Sequence, residues 1–234
     1  KGTLLLGAKG TLLFGAHTMH PADTSLPPGY ADYAHLRSPG RDPLRLLEQA
    51  RHQWRRHSGP NADLWVFGYA SLIWRPDFDF TERHATRAHG WHRALAMWSR
   101  VNRGTPEQPG LVFALLPGGS CQGMAFRVPS SHAEDVFDAL WAREMPSGVY
   151  DARWLPCATP HGTVSALAFT LSRRSPSFTG ELAPEQYRHI FRHASGRYGT
   201  TLDYARRTLE TLRAHGIHDR RLRTLLALVD DPRA

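Results

Sequence analysis

Apolar residues recur at helical spacing over residues 43–57, where Leu44, Leu46, Leu47, Ala50 and Trp54 predict a helix leading into a strand. That strand, residues 64–69, is apolar at nearly every position, which predicts burial on both faces. Residues 87–99, carrying Trp91, Leu95, Met97 and Trp98, and residues 111–116 read as further strands. Pro117, Gly118 and Gly119 then predict a turn, so that 111–116 and 121–128 form a hairpin. Strands at 153–157 and 163–170 follow, and then helices at 184–195, 201–215 and 219–229, with Pro184 and Asp219 as start signals.

Between these groups, Ser131 stands three residues before Glu134, a capping-box spacing that opens a helix running to about Glu144. Phe137, Leu140 and Trp141 mark its apolar face. Glu144 falls three residues after Trp141 and seven after Phe137, which puts a carboxylate on the inward side. Pro146, Ser147 and Gly148 end the helix there and leave Glu144 at the rim of a loop, a common mounting for catalytic groups. Burial without a partner would raise its pKa toward the range of a general base at neutral pH. The first strand, for its part, runs into Tyr69, Ala70, Ser71 and Leu72, a turn whose backbone amides can hold a carboxylate or a developing oxyanion, helped by the Ser71 hydroxyl. An Ala at a position that needed positive φ would be strained by about 1–2 kcal/mol. The mixture of elements predicts an α+β fold.

Composition narrows the function classes. With 234 residues, 41% of them hydrophobic, the chain can bury one substantial core. Residues 61–234 read as the domain and 19–60 as an N-terminal arm and helix. Residues 1–18 hold two near-identical octapeptides joined at Lys9 and read as leader, tag or foreign sequence, with Met19 a plausible start. This apolar segment has reason to dock in a groove on a neighbouring molecule. The net charge of +8 is almost all arginine, scattered in pairs such as Arg55-Arg56 and Arg220-Arg221, which favours small anionic substrates over nucleic acid. Cys121 and Cys157 have neither disulfide nor zinc spacing, so a reduced, cytoplasmic protein is expected. No apolar run approaches the roughly twenty residues of a membrane span. His189 and His193 have metal-ligand spacing but no third ligand, and there is no Walker or dinucleotide loop, so chemistry without metal or cofactor is expected.

Several motifs in order carry a resemblance. Residues 67–76 (FGYASLIWRP), Arg103-Gly104-Thr105-Pro106 with Pro109-Gly110, and Arg143-Glu144 with Gly148-Val149-Tyr150 are similar to the signature of the ChaC-type gamma-glutamylcyclotransferases. Weaker echoes follow at residues 178–184, at Ser195-Gly196-Arg197 and at Leu202-Asp203-Tyr204. The resemblance implies a small mixed β-barrel with flanking helices, and cleavage of glutathione to 5-oxoproline and cysteinylglycine. It implies that Glu144 is the catalytic acid/base, that Val66, Phe67, Gly68, Tyr69, Ala70, Ser71 and Leu72 form the substrate-binding loop, and that Tyr150 and Tyr204 lie near the pocket. Pro146 removes one backbone donor beside the base. Two alternatives stay open: the same chemistry on another gamma-glutamyl amine or dipeptide, and a non-catalytic member of the fold that binds a small anion or a protein.

Overall fold

The computed structural model describes residues 40–59 and 61–229. The octapeptide repeat, Met19, the arm up to residue 39 and the expected docking of that segment lie outside the described residues.

Helix α1, Pro43–Ser58, starts where Asp42 caps it: the carboxylate accepts from the Leu44 amide at 3.0 Å, and Pro43 supplies the preset φ of a first turn. Leu47, Ala50 and Trp54 form its buried stripe, whereas Leu44 is 58% exposed. Strand β1, Leu64–Gly68, is buried at every position, and alternate side chains feed two cores. Trp65 and Phe67 enter one core, which is closed by the later helices. Leu64 and Val66 enter the other, together with Leu47, Trp54, Phe137 and Trp141. Burying a side chain the size of Phe67 stabilises by about 1.5–3 kcal/mol.

After a short helix α2, Ser71–Trp74, come strands β2, Glu82–Ser99, and β3, Gly110–Val128. Helix α3, Ala133–Glu144, is followed by β4, Asp151–Thr159, and β5, Gly162–Thr170. Helix α4, Pro184–His193, a small ribbon of β6, Ser195–Gly196, and β7, Gly199–Thr200, and helices α5, Thr201–Ala214, and α6, Arg220–Ala227, complete the described chain. The main sheet has the order β2-β3-β1-β5-β4, with β1 parallel to β5 and antiparallel to β3. Its two edge strands approach each other: His161, in the β4–β5 turn, bonds Glu82 of β2 at 2.9 Å, and the Thr86 side chain of β2 neighbours Cys157 of β4. The sheet is thereby curled toward a barrel with helices outside it, the α+β architecture expected.

Three local expectations are corrected. The predicted hairpin at Pro117 to Gly119 does not exist, because β3 runs straight through and pairs with β2 along its length. Gly118 and Gly119, both with positive φ, oppose Gly90 of β2, where the register shifts by one residue: the glycines make a bulge that bends two long strands. Strand β2 also begins at Glu82 rather than Arg87, since its first residues belong to a half-exposed edge and lack an apolar signal. Finally, Ser131 lies in a 3-10 turn, Ser130–His132, and does not cap α3. Glu134 reaches instead to Arg51 and Arg55 of α1 at 2.8 and 2.6 Å.

Candidate active site

Helix α3 packs Phe137, Leu140 and Trp141 into the core, and the indole of Trp141 donates to the Pro43 carbonyl at 2.9 Å. That anchor fixes the helix axially, so its last residue, Glu144, emerges at a defined height. The chain then turns through Gly148, whose φ of 65° suits only glycine without strain. Arg41 ties the following segment down, donating to the Tyr150 carbonyl and to Asp151, each at 2.7 Å. Glu144 and Tyr150 are thus held on one wall by the packing of α1 against α3.

The facing wall is the end of β1. Arg93 donates to the Tyr69 carbonyl at 2.7 Å and the Gln122 carbonyl at 3.1 Å, while Asp219 neutralises it at 2.6 Å. The turn leaves β1 through Ala70, whose φ is −144°, so the left-handed strain an alanine could suffer here is absent. Asp77 is the non-glycine residue with positive φ, 56°, among the described residues. Ser71 and Leu72 begin α2, where first-turn amides have no helical partner, and the Ser71 hydroxyl accepts from Arg143 at 3.0 Å.

Between the walls lie two adjoining cavities. A small inner chamber of about 30 Å³ is lined by Tyr69, Ala70, Ser71, Leu72, Glu144, Tyr150 and Tyr204, with Phe113 and Phe169. An outer cleft of about 430 Å³ shares Ser71, Glu144, Tyr150 and Tyr204 with it, and is walled further by Trp74, Arg75, Trp98, Arg103, Arg143 and Tyr198. Such a volume suits a small molecule. Val66, Phe67 and Gly68 line neither cavity: they form the strand behind the turn, with Val66 and Phe67 on opposite core faces. Sequence reasoning assigns no role to Arg75, Arg103 or Tyr198. The signal for Arg103 was the Arg-Gly-Thr-Pro motif, whose meaning depends on distant contacts.

Electrostatics single out Glu144. Its side chain is 16% exposed, and it is not unpartnered, since the Arg143 Nε stands 3.0 Å from Oε1. Burial nevertheless dominates and raises its pKa above the usual carboxylate value; Arg143 opposes that shift and Asp77 adds to it. Tyr69 and Tyr150, neighbours in the site, are pushed well above the ordinary phenol range by burial and by neighbouring charge. Tyr204 is pushed up to about 12 by burial, and its hydroxyl accepts from the Phe113 amide at 3.3 Å. The site therefore offers one carboxylate of raised basicity among neutral phenols, with arginines at the mouth: a setting for proton transfer on an anionic small molecule.

Among the described residues, one group has the composition of a metal site: the ligand atoms of Glu82, His84 and His161 lie within 4.8 Å of one another. It sits at the sheet seam and lines neither cavity. Arg127, bonded at 2.6 Å, is the main cause holding the Glu82 carboxyl down at about 2. His189 and His193 are ring neighbours, with centroids 4.7 Å apart on α4, and fall outside that group.

A curled mixed sheet with a buried helix-end carboxylate facing a strand-end turn defines a protein built for acid–base chemistry on a small molecule. The family model described as ChaC-like protein matches residues 64–232. This chain belongs to the ChaC-like family. It is similar to the glutathione-specific gamma-glutamylcyclotransferase of Escherichia coli (strain K12), 35% identical over 167 residues, spanning 71% of this chain and 72% of that one. The human glutathione-specific gamma-glutamylcyclotransferase 1 is 27% identical over 184 residues, spanning 76% and 83%. Among solved structures, the yeast gamma-glutamylcyclotransferase specific to glutathione superposes with a TM-score of 0.65 at 21% identity, covering 73% of this chain and 96% of that one, which shows a shared fold.

Proposed function

We propose that this chain cleaves glutathione into 5-oxoproline and cysteinylglycine, with Glu144 as the acid/base. The carrying observation is the raised basicity of Glu144 where the inner chamber meets the outer cleft. Relatives named as glutathione-specific enzymes support the choice of substrate.

Glu144 takes a proton from the alpha-ammonium of the gamma-glutamyl group. The freed amine nitrogen attacks the gamma-carbonyl carbon, forming a C–N bond and a tetrahedral oxyanion. As that oxyanion collapses, the bond to the cysteinyl nitrogen breaks and Glu144 returns its proton to the departing amine; the second proton of the attacking nitrogen then passes to that amine, leaving a neutral lactam and the cysteinylglycine ammonium. The attack is intramolecular, so holding the substrate in the cyclising conformer provides much of the rate enhancement. Arg143 bridges Glu144 and Ser71, tying the base to the turn at residues 69–72 that would hold the substrate's alpha-carboxylate or the oxyanion.

The packing of α1 into the core shared with α3 supports reading that helix as part of the same folded unit as the domain that begins at residue 61. No helix among the described residues is long and apolar enough to cross a membrane, and Cys121 and Cys157 are buried free thiols, which fits a reduced, cytoplasmic setting.

The test is product identification by mass spectrometry after incubating the purified full chain with glutathione. Equal amounts of 5-oxoproline and cysteinylglycine are expected. Free glutamate in place of 5-oxoproline would mean hydrolysis and would overturn the cyclisation.

A further inference from the structure

Four arginines line the outer cleft: Arg75, Arg100, Arg103 and Arg143. Two of them already have carboxylates, since Arg75 pairs with Asp77 at 2.9 Å, and Arg143 pairs with Asp77 and Glu144. Arg103 differs from those two. Its guanidinium donates to the neutral Tyr198 carbonyl, stacks 4.9 Å from the Tyr204 ring centroid, and is influenced by Asp203 only through space. Burial lowers its pKa, and Arg75 and Arg207 stand close enough to lower it further by repulsion. An arginine stays charged under such conditions, and its contacts on the cleft side are a neutral carbonyl and an aromatic ring, with Asp203 acting only from a distance. Such charge is the physical basis of an anion site.

The corner is also rigidly built. A Cβ on Gly110 would stand 2.0 Å from the Arg103 carbonyl, and one on Gly196 would stand 2.6 Å from the Gly104 amide, so these glycines let three backbone segments close around Arg103. The Arg103 amide donates to Ser99 Oγ at 3.0 Å, and Thr201 Oγ1 donates to its carbonyl at 3.3 Å. Tyr204 lies between this corner and the base, with its ring under Arg103 and Glu144 contributing to the shift of its hydroxyl.

We propose that Arg103 is the binding residue for the carboxylate at the far, C-terminal end of the substrate, so that the cleft measures the substrate from its gamma-glutamyl amine at Glu144 to its terminal carboxylate at Arg103. This inference rests on the glutathione reading above. Glutathione carries a free carboxylate at each end, one on the gamma-glutamyl group and one on glycine. Arg103 selects for the second.

The experiment compares glutathione with its glycine monoethyl ester on the unaltered protein. The ester should lose tenfold or more in kcat/KM, mainly through KM, because a charge-assisted hydrogen bond is forfeited. In Arg103→Met the ratio between the two substrates should collapse toward one, and Arg103→Lys should restore part of it. Equal kcat/KM for glutathione and ester on the unaltered protein would overturn the proposal, whatever the variants do. Calorimetric binding of both compounds to Glu144→Gln separates this from a failure of the reaction assignment. Tighter binding of glutathione than of its ester supports the subsite even if turnover is absent, and equal binding or no binding of glutathione overturns it.

Discussion

The Nε of Arg143 stands 3.0 Å from Oε1 of Glu144, and these consecutive residues oppose each other in setting the basicity of the site. Burial raises the Glu144 pKa while its neighbour's charge restrains it, and Asp77, itself bonded to Arg143 at 2.9 Å, pushes it up again. The low-pH limb of kcat/KM should therefore track Glu144, with activity appearing as pH rises through a pKa above the ordinary carboxylate value. Arg143→Gln removes the restraining cation and should move that limb to higher pH. Asp77→Asn should move it to lower pH, and asparagine tolerates the φ of 56° found there. Rate profiles between pH 4 and 9 check both directions, and shifts of the same sign in the two variants would contradict the assignment.

Glu144 also links pH to stability. Its folded pKa is raised, so its favourable contribution is complete below the unfolded pKa and is lost as pH rises through the folded one. Glu144→Gln carries no such loss. Its thermal stability relative to the unaltered protein should improve as pH rises, and the difference should fade on acidification. Melting curves across that range measure it.

Asp219 supports the site from behind. It caps α6 through the Leu222 amide and neutralises Arg93, whose side chain is 4% exposed and holds the Tyr69 carbonyl. Asp219→Ala should cost about 3–5 kcal/mol, the penalty for stranding a buried charge. Asp219→Asn keeps a good cap but not the charge, and should recover only about 1 kcal/mol of that loss. Denaturant unfolding of both variants separates the two contributions.

Gly110 should be intolerant of a side chain. A Cβ there meets the Arg103 carbonyl at 2.0 Å and the Thr201 hydroxyl at 2.5 Å. Gly110→Ala should destabilise by about 1–3 kcal/mol, as overpacking does, and should raise KM for glutathione more than it lowers kcat, because it displaces Arg103 rather than Glu144. Melting temperature and steady-state kinetics provide the two readings.

What could be read from the chain follows from how far each signal reaches. Helices α1, α3 and α5 were legible because their apolar faces repeat locally, and the position of Glu144 on α3 followed from the same period and the break at Pro146. Gly118 and Gly119 misled because a positive-φ glycine serves a turn or a bulge equally well, and only the partner strand, through Gly90, decides between them. The Ser131 and Glu134 spacing failed for a similar reason: Arg51 and Arg55 on a distant helix compete for the glutamate. Arg103 stood in a recognisable motif, but its setting is made by Tyr198, Tyr204 and Gly196, nearly a hundred residues on, and no local pattern announces that.

The account turns on Glu144 as the proton carrier, and the most direct measurement is the rate of 5-oxoproline release from glutathione by the unaltered protein and by Glu144→Gln at equal concentration, with circular dichroism confirming that both are folded. A loss of about a hundredfold or more in a folded variant is expected, matching the usual contribution of general acid–base catalysis. A folded Glu144→Gln that retains more than about a tenth of the unaltered rate, well outside that usual range, would contradict it.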